Sequence, residues 1–242
     1  MEPPDDHRDA RLVTALGSVR ARIADACAAA GRDPQSVTLI AVTKTRPASD
    51  VATLARLGVL DIGEARDQEA RAKIAELAEF PGAPIDLRWH LVGRLQTNKA
   101  RSVVTYARAV HSLDRPKLAR ALAEAAAERR PEPLEVFVQV SLDGDPERGG
   151  VAEAELSALA EAVASRPQLQ LRGVMAVAPI EADAEAAFAK LAELAARVRS
   201  DHPGADAISA GMSDDLEAAV RNGSTHVRVG SALLGRRAQV FG

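Results

Sequence analysis

The chain has 242 residues, of which 47% are hydrophobic but only 2% aromatic, and a formal net charge of −3. That length and apolar content suit one large α/β domain whose interior is filled by Ala, Leu and Val. The near-balanced charge offers no basic stripe for nucleic acid, and no run of about 18 apolar residues is available to span a membrane. The single cysteine, Cys27, cannot close an intramolecular disulfide, and the acidic, Pro-rich start MEPPDDHRDA lacks the apolar stretch of a secretory signal. A cytoplasmic, monomeric protein is expected.

Residues 1–8 read as a disordered tail, leaving residues 9–242 as one domain. Leu12, Val13, Leu16, Val19, Ile23 and Ala26 recur at helical spacing, and Gly31 fits a helix stop. Residues 37–44, VTLIAVTK, form a β-branched run too short for a helix, the mark of a strand buried on both faces. A helix over 49–57 leads to a strand over 59–65, and a helix over 68–79 leads to a strand over 88–93. Helices over 97–106, 115–129, 152–165 and 183–199 precede strands over 108–114, 134–142, 171–179 and 206–213. A short helix over 214–222 precedes a last strand over 226–235. Eight strands, each but the last followed by a helix, imply parallel strands joined by crossover helices. None carries edge-strand charges or Pro, so a closed (β/α)8 TIM barrel with an extra N-terminal helix is expected rather than an open sheet.

Active sites of such barrels lie at the C-terminal strand ends. Lys44 ends the first strand after seven uncharged residues. An amine desolvated there, or placed near a cation such as Arg228, becomes nucleophilic, as imine formation with an aldehyde requires. A strand-end lysine reaching to water is the plain alternative. The segment GMSDD combines Gly211, which permits close backbone approach, with Ser213, a candidate N-cap. With Gly230 and Ser231 of the last strand it forms a candidate phosphate corner. Arg228 lies between Val227 and Val229, so it points into the barrel if they pack outward. Once buried it needs an acceptor, either a ring nitrogen or a carboxylate such as Glu64. The five histidines show no paired metal-ligand spacing, and His111 and His226 fit satisfied core positions.

The segments AVTKTRP, DIGEARDQEA, RWHLVGRLQTNKA, GVMAVAP and ISAGMSDDLEAAVRNGSTHVRVGSALLG together resemble the pyridoxal phosphate homeostasis protein family. That family has the barrel fold of the N-terminal domain of alanine racemase. The resemblance implies that Lys44 holds pyridoxal 5′-phosphate (PLP) as a Schiff base. It further implies that Ser213, Gly230, Ser231 and backbone groups near Gly211 and Met212 hold the phosphate. Arg228 would face the pyridine nitrogen, and Ser209 and His90 would line the pocket. Two departures stand out: Ala65 replaces the family's usual Asn, removing any contact from that side chain, and Ala210 replaces a frequent Met. The implied role is PLP carriage and homeostasis without turnover, with apo PLP-dependent enzymes as partners.

Two enzyme readings compete. A PLP-dependent amino-acid racemase needs a second acid/base group opposite the lysine. The one tyrosine, Tyr106, falls at the end of a predicted helix, and no C-terminal β-domain follows the barrel. A Schiff-base aldolase needs an acid/base network that does not assemble around Lys44.

Overall fold

The computed structural model describes residues 6–80, 86–145, 148–179 and 183–235. Its eight strands are β1 (Thr38–Val42), β2 (Asp61–Glu64), β3 (Arg88–Leu91), β4 (Ala107–Leu113), β5 (Leu134–Gln139), β6 (Leu169–Met175), β7 (Ala207–Ser209) and β8 (His226–Val229). They pair in parallel and in chain order, and β8 returns to β1 to close the barrel. Around them lie α1 (Asp6–Ala29), α2 (Ala48–Arg56), α3 (Asp67–Ala78), α4 (Ala100–Val103), α5 (Pro116–Arg129), α6 (Leu156–Ala164), α7 (Ala184–Asp201), α8 (Leu216–Arg221) and α9 (Ser231–Leu234). The expected (β/α)8 barrel with an added N-terminal helix is therefore the observed fold. Among the described residues no helix is long and apolar enough to cross a membrane.

Side-chain alternation sorts each strand into an inner and an outer set. On the outer set, Ala41, Ile62, Val227 and Val229 join buried residues of α1, α2, α8 and α9 in one apolar cluster. On the inner set, Ile40 and Val42 lie so close to Gly63 that a Cβ there would sit 3.0 and 3.2 Å from their Cγ2 atoms. Registered against β8, Ile40 stands beside Arg228. The outward packing of Val227 and Val229 thus turns Arg228 inward, as the alternation predicted.

Several boundaries differ from the sequence reading. Asp6, His7 and Arg8, expected in a disordered tail, belong to α1, where Arg8 pairs with the buried carboxylate of Asp50; residues 1–5 lie outside the described residues. Leu12, Leu16, Val19, Ile23, Ala26 and Cys27 form the buried stripe of α1, whereas Val13 falls off it and is exposed. The helix expected over 97–106 is only a 3-10 turn, Thr97–Lys99, followed by α4. Val103, Val104 and Thr105 are all β-branched and resist extending the helix. The last strand stops at Val229: Gly230 turns the chain, and the apolar SALL segment buries Leu233 and Leu234 as α9. The eighth strand therefore does have its helix.

Gly173 in β6 shows how tightly the strands approach. Its φ is +146°, and a Cβ there would lie 1.8 Å from the carbonyl oxygen of Ala207 in β7. Only glycine fits. Gly173→Ala is expected to cost at least about 2 kcal/mol of stability by forcing β6 from β7, read as a lowered denaturant midpoint at unchanged m-value.

Candidate functional site

Lys44 lies in the turn two residues past the end of β1, and its side chain is exposed. The desolvation expected for it is therefore absent, and the amine stands at the barrel mouth. Across the β1–β8 seam Gly230, where a Cβ would sit 3.3 Å from the Val42 carbonyl oxygen, packs against Val42, two residues before Lys44. Arg46, two residues on, donates to the Gly235 carbonyl and ties this loop to the end of α9.

The phosphate corner forms where the turns after β7 and β8 meet. Gly211 has φ +92°, and a Cβ there would lie 2.7 Å from that of Ala219, so the tight turn requires glycine. Ser213 does not cap α8. Asp215 occupies that position, and the Ser213 hydroxyl instead accepts from the Ala232 amide at 3.0 Å, joining the two turns. Arg22 of α1 donates to the Ser213 carbonyl at 2.9 Å while paired with Glu217, so the added helix braces this corner. The Met212 amide donates to the Asp215 carboxylate at 2.5 Å, and the Met212 side chain is exposed. That amide, expected for phosphate, therefore already has an acceptor. Gly230 is half-buried and Ser231 exposed beside the mouth.

Below the mouth a polar chain crosses the barrel interior. Arg228, 5% exposed, donates to the Ser209 hydroxyl at 2.7 Å and to the Ala176 carbonyl at 2.9 Å. Its acceptors are thus Ser209 and a backbone carbonyl rather than Glu64. Ser209 Oγ lies 2.8 Å from His111 Nδ1, His111 Nε2 lies 2.9 Å from His90 Nδ1, and His90 Nε2 lies 3.0 Å from Asp61 Oδ1. Asp61 is paired in turn with Arg88 at 2.6 and 2.7 Å. One direction of donation satisfies every atom. Because Arg228 can only donate, Ser209 passes its own proton toward His111, His111 donates to His90, and His90 donates to Asp61. His111 is neutral in this arrangement. Burial, with His90 and Arg228 nearby, pushes His111 well below the usual histidine range. Burial would raise the Asp61 carboxyl, but hydrogen bonds from Arg88 and His90 outweigh it and hold it low. Arg228 is lowered to about 10 by burial, which leaves it cationic at neutral pH.

Of the residues expected at the site, the fold gathers Lys44, Gly211, Ser213, Gly230 and Ser231 at the mouth, with Ser209 and Arg228 beneath them. Both ring nitrogens of His90 are taken by Asp61 and His111, so neither is free for a ligand. The linking roles of Asp61 and His111 were missed; their signal was a polar residue within a strand, at a position of inward parity. At position 65 Ala65 lines a cleft beside the mouth, and its backbone matters too. A Cβ at Gly93 would sit 2.3 Å from the Ala65 carbonyl oxygen, which explains the glycine of GRLQTNK. Ala210 packs in the outer core. Beside the mouth, a cleft of about 910 Å³ is lined by Arg66, Arg94, Gln96, Asn98, Lys99 and Arg115 among others. Lys44 is not part of its wall.

Residues 15–238 match the family described as "Alanine racemase, N-terminal domain". The chain is 46% identical to the pyridoxal phosphate homeostasis protein of Mycobacterium tuberculosis H37Rv, over 95% of this chain and 94% of that protein. The homologue from Escherichia coli K12, with the same name, is 38% identical over 92% and 95% of the two chains. Among solved structures, PipY of Synechococcus elongatus PCC7942, determined with PLP bound, superposes with a TM-score of 0.77 at 38% identity, covering 88% of this chain and all of that one. The barrel thus belongs to the alanine racemase N-terminal-domain family, and within it the chain belongs to the pyridoxal phosphate homeostasis proteins.

The buried histidines give the fold a pH dependence. Burial first, then the nearby His90, lowers His226 to about 4. In the unfolded chain a histidine takes up its proton near pH 6.5, so the unfolded state binds more protons between those values. Stability is therefore expected to fall as pH drops from about 6.5 to about 4. His226→Asn is expected to reduce the slope of unfolding free energy against pH by roughly one proton. Denaturant melts at stepped pH check this, and an unchanged slope would refute the neutral state assigned to His226.

Proposed function

We propose that this chain binds PLP at its barrel mouth and acts in intracellular PLP homeostasis, holding and releasing the cofactor without turning over a substrate. The observation that carries this reading is the β1–β8 seam, where Val42 packs against Gly230 above an inward-facing Arg228 and the chain continues two residues on to the exposed amine of Lys44. A relative at 38% identity, PipY, has been solved with PLP bound.

The residues present fit such a ligand. Gly211 and Gly230 bring backbone close at the two turns, and the Ser213 hydroxyl locks the turns together for a phosphate. Arg228 is held by Ser209 and Ala176 in one orientation and offers only donors, so it favours an unprotonated ring nitrogen facing it. When bound, the cofactor supplies an aldehyde able to form a reversible Schiff base with the Lys44 amine, and a donor-only arginine makes its ring a weak electron sink. That weakness suits storage better than carbanion chemistry.

Two-base racemisation would need a second acid/base group at the mouth. Tyr106 is instead half-buried against the outer core, its hydroxyl unpartnered and its proton held more tightly by burial. His90 has no free nitrogen. The reading extends to apo PLP-dependent enzymes as recipients, and to a cytoplasmic monomer, consistent with the lone, buried thiol of Cys27.

Purified protein is expected to absorb in the near-visible range, and Lys44→Ala to abolish both the absorbance and the borohydride-trapped adduct. An adduct retained in that variant, mapped to another lysine such as Lys99, would overturn the assignment. Arg228→Ala and Ser213→Ala should each weaken PLP retention about tenfold or more, the worth of a charge-assisted hydrogen bond of about 1.5–3 kcal/mol. Equilibrium dialysis measures this, with circular dichroism confirming that the barrel stays folded.

A further inference from the structure

The turn that carries Lys44 is held from both sides by one buried charge network. Lys73 of α3 is 5% exposed, an unusual place for a lysine. Its ammonium has three donors, and each has a defined acceptor: the Thr43 carbonyl at 2.6 Å, Glu64 Oε1 at 2.5 Å and Glu69 Oε1 at 2.9 Å. Both carboxylates then return to the same turn. Glu64 Oε1 accepts from the Thr43 hydroxyl at 2.5 Å, and Glu69 accepts from the Thr45 amide. Thr43 and Thr45 are the two residues flanking Lys44. Every bond Lys73 makes therefore ends on the Lys44 turn or on a carboxylate that grips it.

The backbone at this turn carries strain as well. Thr45 has φ +62°, the one positive φ at a non-glycine among the described residues. A β-branched residue is strained in that region and persists only where its surroundings over-determine it. Here the surroundings are Glu69, Lys73 and Glu64. A buried ionic cluster is seldom the cheapest way to stabilise a core, since well-packed apolar residues often serve as well. What such a cluster does supply is a single geometry.

We propose that Lys73, with Glu64 and Glu69, is a positioning device that fixes the Lys44 amine for covalent capture of PLP. This rests on the reading that Lys44 is the attachment residue. None of the three residues needs to touch the cofactor.

The test compares two ligands that differ only in whether they use the amine. PLP carries the aldehyde; pyridoxine 5′-phosphate has the same ring and phosphate with an alcohol in its place. Lys73→Met is expected to weaken PLP binding about tenfold or more and to slow the borohydride-trapped adduct, while leaving pyridoxine 5′-phosphate affinity unchanged. Glu69→Gln keeps an acceptor for the Thr45 amide and should retain most of the PLP affinity. Should Lys73→Met fail to fold, Thr45→Gly decides the matter, since it frees the turn without removing a buried group and should show the same selective loss. Affinities for both ligands falling together, or neither falling, would overturn the positioning role. A wild-type adduct on another lysine would instead overturn the attachment site itself, so the two failures are distinguishable.

Discussion

When β8 pairs with β1, Ile40 is set beside Arg228 and Ala41 beside Val229, and the rest of the site depends on that seam. It carries Val42 up against Gly230, the residue that opens α9, and Lys44 follows two residues later at the rim. A one-residue slip would reverse the parity of β8, turning Arg228 into the helix layer and Val227 and Val229 into the barrel. The outer apolar cluster guards against this. It buries Val227, Val229 and Ala41 against α1, α2 and α8, so a slipped register would expose apolar surface and bury a guanidinium without acceptors. The added helix reinforces the seam through Arg22, which grips Ser213 and Glu217, and the loop after it does so through Arg32, which donates to the Val220 carbonyl at 2.6 Å.

Inside that cylinder one chain of polar groups links donor to acceptor along its whole length. The chain from Arg228 through Ser209, His111 and His90 to Asp61 runs from a cation near the mouth to a carboxylate at the opposite end. An unmet buried polar group costs about 1–3 kcal/mol, so a break at any link leaves two penalties, one on each side of it. Phe137 closes the remaining space by stacking on His111, with ring centroids 4.3 Å apart. The result holds the Arg228 guanidinium still without any residue of the mouth having to do so.

Two buried networks thus divide the work. One fixes Arg228 from below, and the other fixes the backbone around Lys44 from the side, through Lys73 and its two glutamates. The groups that would meet a ligand remain at the rim, where a cofactor can enter and leave. Such a division suits a protein that binds reversibly, because the cost of ordering the site is met in the folded chain rather than on binding.

Much of this was legible in the residues themselves. Apolar β-branched runs alternating with helical stripes specify eight strand–helix units, because burial on both faces and on one face leave different periodicities. Lys44 at a strand end, the glycines of GMSDD and the alternation around Arg228 are likewise local patterns. Other features were not readable, because they are made by residues far apart in the chain. The break after Val229 depends on α9 burying Leu233 and Leu234 rather than on local propensity. Ser213 looked like a helix cap and instead bonds across to Ala232. His90 looked like a pocket residue, yet its nitrogens belong to Asp61 and His111, each more than twenty residues away. Periodicity determines which side of an element faces inward. Which inward-facing groups become partners is decided only when the cylinder closes, since hydrogen bonds act over about 3 Å and the sequence carries no such distance.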